Sequence, residues 1–106
     1  MPAIDQTTQD RLQRAVAIAR QHVSLEAAYF FGSRSRGQGD KWSDLDLAFF
    51  IKNAESWTLQ QRTWLTVEVQ KKAGDDIEPH FFSAKALREP SKQGFESIVL
   101  AEGIRL

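Results

Sequence analysis

Cysteine is absent from this chain of 106 residues. Without thiols the protein has no disulfides, no thiolate metal site and no cysteine nucleophile. Long apolar runs are also missing, since none approaches the roughly 20 residues that span a bilayer. The first five residues lack the basic and apolar regions of a signal peptide. We therefore expect a protein without membrane spans that resides in the cytoplasm.

An excess of charge of either sign is missing too. Fourteen basic residues balance fourteen acidic ones, so no overall field attracts a long nucleic-acid duplex or an anionic membrane. The length is typical of one domain, and an apolar share of 42% is ordinary for a globular core. We expect a single domain over residues 1–106, too small to include a separate substrate domain.

The chain is organised around a turn between two apolar segments. Residues 27–31 form the first segment, which ends at Gly32 and Ser33, where backbone amides and a hydroxyl can approach a phosphate closely. The second segment, residues 45–51, begins among Asp44 and Asp46. Alternation along a strand puts both carboxylates on one face, where they suit a hard cation such as Mg²⁺. The pattern predicts a phosphate-binding turn facing a magnesium site.

This arrangement resembles a known signature. The sequence Gly32-Ser33-Arg34-Ser35-Arg36-Gly37, followed by Ser43-Asp44-Leu45-Asp46-Leu47, is similar to that of the DNA polymerase beta-like nucleotidyltransferase superfamily, and in particular to its minimal nucleotidyltransferase (MNT) branch. The resemblance implies an enzyme that uses two Mg²⁺ ions and a nucleoside triphosphate, ATP. It also implies site roles. Asp44 and Asp46 would hold the cations, while the phosphates would be bound by Gly32, Ser33, Arg34 and Arg36.

A third carboxylate is expected, because two magnesium ions usually need three. Residues 76–82 read as a strand with Asp76, Glu78 and His80 on one face. Glu78 lies where the superfamily carries its third acidic residue, although Asp is commoner there, and Asp76 competes for the role. His80 is a conceivable general base, but a structural or exposed histidine is the simpler interpretation.

The resemblance implies an α+β (α/β-like) nucleotidyltransferase fold, and the periodicity of the chain predicts the element order α-β-α-β-α-β-α. We expect a small mixed sheet of about three strands, with the second strand central and helices mainly on one face. Strands are predicted over 26–31, 44–51 and 76–82, and helices over 5–22, 34–37, 55–73 and 92–102. Residues 65–69 also alternate like a strand, so a strand there is the alternative to a continuous helix. Pro79 predicts that the third strand lies at an edge.

Side-chain patterns predict how two of these elements pack. The second strand presents a hydrophobic row to the helices, formed by Leu45, Leu47, Phe49 and Ile51. The last helix should bury Phe95, Ile98, Val99 and Leu100. The tryptophans Trp42, Trp57 and Trp64 could stack an adenine, but packing is the simpler role for each.

Three functions fit this sequence. The first is transfer of AMP from ATP to an acceptor hydroxyl, and by resemblance the acceptor lies on a HEPN-domain partner protein, with this chain as the antitoxin of a HEPN/MNT toxin-antitoxin pair. The second is nucleotidyl transfer to a small molecule such as an aminoglycoside. The third is a non-catalytic module that binds a partner through the same fold.

Overall fold

The computed structural model describes residues 5–32, 35, 44–89 and 94–106. Helix α1 spans Gln6–His22, α2 spans Leu59–Ala73 and α3 spans Phe95–Glu102. The strands are β1 (Leu25–Phe31), β2 (Leu45–Ile51), β3 (Ile77–Ser83) and the short β4 (Ile104–Arg105). Short 3-10 helices occupy Ala54–Ser56 and Ala84–Leu87.

The strands form one mixed sheet in the order β3-β2-β1-β4. β1 is antiparallel to both β2 and β4, whereas β2 and β3 are parallel. β2 is therefore interior, and β3, which contains Pro79, is an edge strand as predicted. β4 is an additional strand that the sequence did not reveal, because a two-residue segment is too short to have a recognisable alternation.

Helices α1 and α2 cover one face of the sheet. α1 begins at Asp5, whose carboxylate accepts a hydrogen bond from the Thr8 amide at 2.7 Å. α2 begins with a capping box formed by Thr58 and Gln61. The predicted row Leu45, Leu47, Phe49 and Ile51 is buried against these helices, together with Leu12, Val16, Leu65 and Val69. This confirms both the face of the strand that packs and the side on which the main helices lie.

The opposite face is covered only in part. Here Val99 of α3 packs with Phe31 and Phe50 in a second, smaller apolar cluster. The prediction that α3 buries four apolar residues was wrong in two cases, since Phe95 is 46% and Ile98 is 52% exposed. The helix has only eight residues, and Val99 is its buried residue. Phe95 still contacts the rings of Phe31 and Phe82 on the sheet while keeping part of its surface exposed.

Two other predictions concern element boundaries. The sequence predicts one helix over residues 55–73, but the helix begins only at Leu59, after the 3-10 turn, because Thr58 provides the cap. The strand alternative for residues 65–69 is excluded, since they lie within α2. The short helix expected over 34–37 lies almost entirely outside the described residues.

Over the described parts of the chain, no helix has both the length and the apolar character needed to cross a bilayer.

Candidate active site

The turn that follows β1 brings its backbone against an acidic side chain. Gly32 has a φ of +88°, a conformation that residues with a Cβ rarely adopt. A Cβ placed on Gly32 would lie 2.5 Å from Oδ2 of Asp46. Ser35, only 5% exposed, donates its hydroxyl to the Gly32 carbonyl at 2.7 Å. Ser35 is therefore tied to Gly32, and a side chain at position 32 would both strain the backbone and push against the Asp46 carboxylate.

Asp46 is placed by strand register. It pairs with Phe31 of β1 on one side and with Glu78 of β3 on the other. Two residues further along, Ala48 is in register with His80. Since alternate residues of a strand share a face, Asp46, Glu78 and His80 all point away from α1 and α2, on the face that α3 only partly covers.

These three side chains form a compact group. His80 Nε2 lies 3.2 Å from Asp46 Oδ1, and one ligand atom from each of Asp46, Glu78 and His80 lies within 4.8 Å of the other two. Asp46 and His80 are half-buried, and Glu78 is exposed. The half-buried Asp46 and His80 are held in place by their surroundings, and the exposed Glu78 keeps the group accessible from solvent.

Aromatic rings border the group. The His80 ring lies 5.1 Å from the ring of Phe31 and 6.0 Å from that of Phe95, both nearly edge-on. Phe31 and Phe95 also contact each other, with centroids 5.4 Å apart. The polar group is thus at the margin of the smaller apolar cluster, beside the exposed side of α3.

The structure separates the predicted carboxylates. Glu78 lies beside Asp46, whereas Asp76 forms an ion pair with Arg11 of α1 and so ties that helix to the start of β3. Asp44, exposed just before β2, is not part of the three-residue group in the described region of the chain. Asp44 immediately precedes β2, which begins at Leu45. The metal-binding roles of Asp44, Asp46 and Glu78 stay predictions.

The remaining predicted site residues, Ser33, Arg34 and Arg36, lie outside the described residues, as does Trp42. The sequence pattern favours a structural role for His80 and does not indicate any role for Ser35. His80 shares the face of Glu78, which strand parity did indicate, but parity could not reveal its contact with Asp46. Ser35 gave no signal, because a serine inside a polar turn is common and its burial depends on the folded chain.

A sizeable cavity among the described residues lies elsewhere. It has a volume of about 600 Å³ and is lined by residues that include His22, Ile51, Lys52, Trp57 and Trp64, at the end of β2 opposite Asp46. Trp64 stacks edge-on against His22, and Trp57 packs beside Phe81. Both indoles also line the cavity, and none of the predicted site residues that the structure describes does so.

The donor set beside the turn suits a divalent cation. Two carboxylates supply the oxygen ligands that Mg²⁺ prefers. In an octahedral site with ligands at about 2.1 Å, neighbouring ligand atoms are about 3 Å apart and opposite ones about 4.2 Å. The 3.2 Å between His80 Nε2 and Asp46 Oδ1 is close to the separation of neighbouring ligands in such a shell.

Comparison with known proteins identifies the fold family. Residues 13–101, most of the chain, match the sequence profile of the family described as "Polymerase beta, Nucleotidyltransferase". The chain belongs to this nucleotidyltransferase family. The matched residues include both strands that carry Asp46 and Glu78 and the turn at Gly32. The site described above is thus part of a nucleotidyltransferase-type domain.

A solved structure shares the nucleotidyltransferase fold. The crystal structure of a candidate nucleotidyltransferase from Sulfolobus solfataricus superposes with a TM-score of 0.54, covering 84% of this chain and 84% of that one. The two sequences are 18% identical, so the likeness concerns the fold alone. A search among curated proteins gives no match.

Proposed function

We propose that this nucleotidyltransferase-family domain transfers AMP from ATP to an acceptor hydroxyl with the help of Mg²⁺. One observation supports the proposal most strongly. Gly32, whose backbone conformation favours glycine, lies directly against Asp46, and Glu78 and His80 lie beside that carboxylate. The backbone at Gly32 could approach a triphosphate, and the side chains next to it could bind the metal ion that neutralises the phosphates. The family match over residues 13–101 supports the same class of reaction.

The reaction places clear demands on the site. An acceptor oxygen forms a bond to the α-phosphorus of the nucleotide, the bond from that phosphorus to the β-phosphate oxygen breaks, and pyrophosphate leaves. Negative charge increases on the phosphate oxygens, so positioning and charge neutralisation dominate catalysis. Bound magnesium would supply that neutralisation and polarise the phosphorus.

The residues of the chain would divide these tasks. Gly32 and Ser33 would hold the β- and γ-phosphates through backbone amides and a hydroxyl, with Arg34 and Arg36 as further phosphate partners. Asp44 and Asp46 would hold the cations. Glu78 is exposed, so an acceptor hydroxyl can reach it and give up its proton there.

We also propose the acceptor class. By its resemblance to the MNT branch, the chain would modify a hydroxyl on a HEPN-domain partner and act as its antitoxin. Phe95, which contacts the His80 ring, and Ile98 on the same helix are exposed, and they offer apolar contact area to a folded acceptor. A second candidate is a partner-binding module without catalysis, which the position of Asp44 outside the three-residue group favours.

Transfer of label decides between these candidates. The chain is incubated with ATP labelled on the α-phosphate, Mg²⁺ and a HEPN-domain protein from the same genome, and the label on that protein is measured. We expect transfer by the wild type and a loss of at least about 100-fold on Asp46→Asn. Asp10→Asn is the matched control, since Asp10 is an exposed carboxylate on α1, behind the sheet. No transfer by the wild type, or undiminished transfer by Asp46→Asn, would contradict catalysis.

A further inference from the structure

His80 gives the candidate metal site a donor of a different chemical kind. Its Nε2 lies 3.2 Å from Asp46 Oδ1 and belongs to the same group of ligand atoms as a Glu78 oxygen, all within 4.8 Å. Strand register brings the three side chains together, since Asp46 pairs with Glu78 and His80 follows on the same face of β3. The register thus places a nitrogen donor within reach of an ion held by both carboxylates.

The imidazole is held in this position by its surroundings. Phe31 and Phe95 contact its ring at 5.1 and 6.0 Å, and Phe31 is itself buried in the smaller apolar cluster. The backbone of His80 is fixed by its register with Ala48 of β2. A ligand whose ring is already immobilised loses little conformational entropy on binding an ion.

We propose that His80 is a metal ligand, and that together with Asp46 and Glu78 it gives this site a preference for a transition-metal ion such as Mn²⁺ over Mg²⁺. This inference rests on the proposed function for the location of the cation site. Replacing an oxygen donor by an imidazole nitrogen favours first-row transition metals, because Mg²⁺ strongly prefers oxygen. The site would then bind both ions, with a higher affinity for Mn²⁺ than for the predicted Mg²⁺.

A structural alternative makes a different prediction. If His80 only donates a hydrogen bond to Asp46, a glutamine in its place can make the same bond through its amide. If His80 binds the ion, glutamine cannot replace its nitrogen lone pair. His80→Gln therefore separates orientation of Asp46 from ligation.

The chain offers a matched control, because it contains only two histidines. His22, at the end of α1, packs against Trp64 and is exposed, on the far side of the sheet from the site. His22→Gln removes the same side chain without touching Asp46 or Glu78. Any nitrogen signal from the bound ion can thus be assigned to one histidine.

Electron paramagnetic resonance tests the ligand directly. Mn²⁺ is added to the full chain, first alone and then with inorganic tripolyphosphate, which contains no nitrogen, and electron spin echo envelope modulation detects nitrogen bound to the metal. Chain labelled with ¹⁵N only in histidine identifies the source. We expect histidine coupling in wild type and in His22→Gln, and none in His80→Gln.

Isothermal titration gives the affinity. We expect His80→Gln to weaken Mn²⁺ binding by about tenfold or more, since losses in the outer shell alone cost 10–100-fold, and to change Mg²⁺ binding by less than about threefold. Absence of bound Mn²⁺, bound Mn²⁺ without histidine coupling, or full coupling in His80→Gln overturns the proposal. These outcomes are independent of label transfer, so a chain that transfers AMP without histidine coupling refutes this inference alone.

Discussion

Gly32 lies so close to Asp46 that a methyl group on its Cα would sit 2.5 Å from Asp46 Oδ2. Strand β1 ends at this point, and β2 presents Asp46 at the position paired with Phe31. Phe31 at the end of β1, Gly32 and the Asp46 carboxylate therefore form one structural unit. Any phosphate bound by the turn would lie next to the carboxylate that is expected to hold its counter-ion.

Gly32→Ala should disrupt this unit. The new Cβ would displace the Asp46 carboxylate, and the φ of +88° would be strained for alanine, at a cost of about 1–3 kcal/mol in the free energy of unfolding. We expect transfer of label to fall below detection while the chain still folds. Urea denaturation followed by tryptophan fluorescence measures the stability.

Gly94→Ala is the control for this substitution. Gly94 has a φ of −81°, and the atoms near a new Cβ there belong to the movable end of the Glu96 side chain. We expect a stability change below about 1 kcal/mol and normal transfer. Equal losses for both alanine variants would mean that the closeness of Gly32 to Asp46 has no special role.

Ser35 should matter through the same turn. Its hydroxyl and amide both contact the carbonyl of Gly32, at 2.7 and 3.2 Å. Ser35→Ala removes the first bond and should cost about 0.5–1.5 kcal/mol. We expect weaker binding of inorganic tripolyphosphate in the presence of Mg²⁺, measured by calorimetry, because Ser35 loses one of its two bonds to the Gly32 carbonyl.

Ser56 provides a close match for that experiment. Its hydroxyl and amide contact the carbonyl of Asn53 at 2.8 and 3.1 Å, the same pattern at a distant, exposed turn. Ser56→Ala should leave tripolyphosphate binding unchanged. If Ser35→Ala also binds tripolyphosphate normally, the internal bond of the first turn is irrelevant to the site.

The sheet was predictable because its signals are local. Residues 45–51 alternate between two well-defined rows, and the row containing Leu47 and Phe49 is buried as expected. The same parity put Asp46, Glu78 and His80 on one face. What parity cannot supply is register between strands, so the pairing of Asp46 with Glu78 and the contact with His80 required the folded chain.

Other features depend on contacts between residues far apart in sequence. Arg11 and Asp76 are 65 residues apart, and no pattern in the sequence indicates that they pair. The orientation of α3 was misjudged for a related reason. A short helix with apolar residues on several sides has no dominant face, so only its docking site reveals that Val99 is buried.

The orientation of α3 can be tested by comparing two neighbouring residues. Val99 is fully buried, and Ile98 is 52% exposed. Val99→Ala should lower the free energy of unfolding by about 1–3 kcal/mol, because it leaves a cavity between α3 and the sheet. Ile98→Ala, which removes more apolar atoms, should cost less than about 0.5 kcal/mol. Equal costs from urea denaturation would contradict the observed orientation.

Glu78 and Asp76 should show opposite effects, because they lie two residues apart but have different partners. Glu78 is exposed beside Asp46, so Glu78→Gln should abolish transfer and weaken metal binding with little change in stability. Asp76 pairs with Arg11, and both side chains keep some exposure, so Asp76→Asn should cost about 1 kcal/mol and leave transfer near normal. Arg11→Gln should reproduce the stability loss, and the double variant should lose little more than either single one. Loss of transfer in Asp76→Asn, with normal transfer in Glu78→Gln, would reassign the third carboxylate to Asp76.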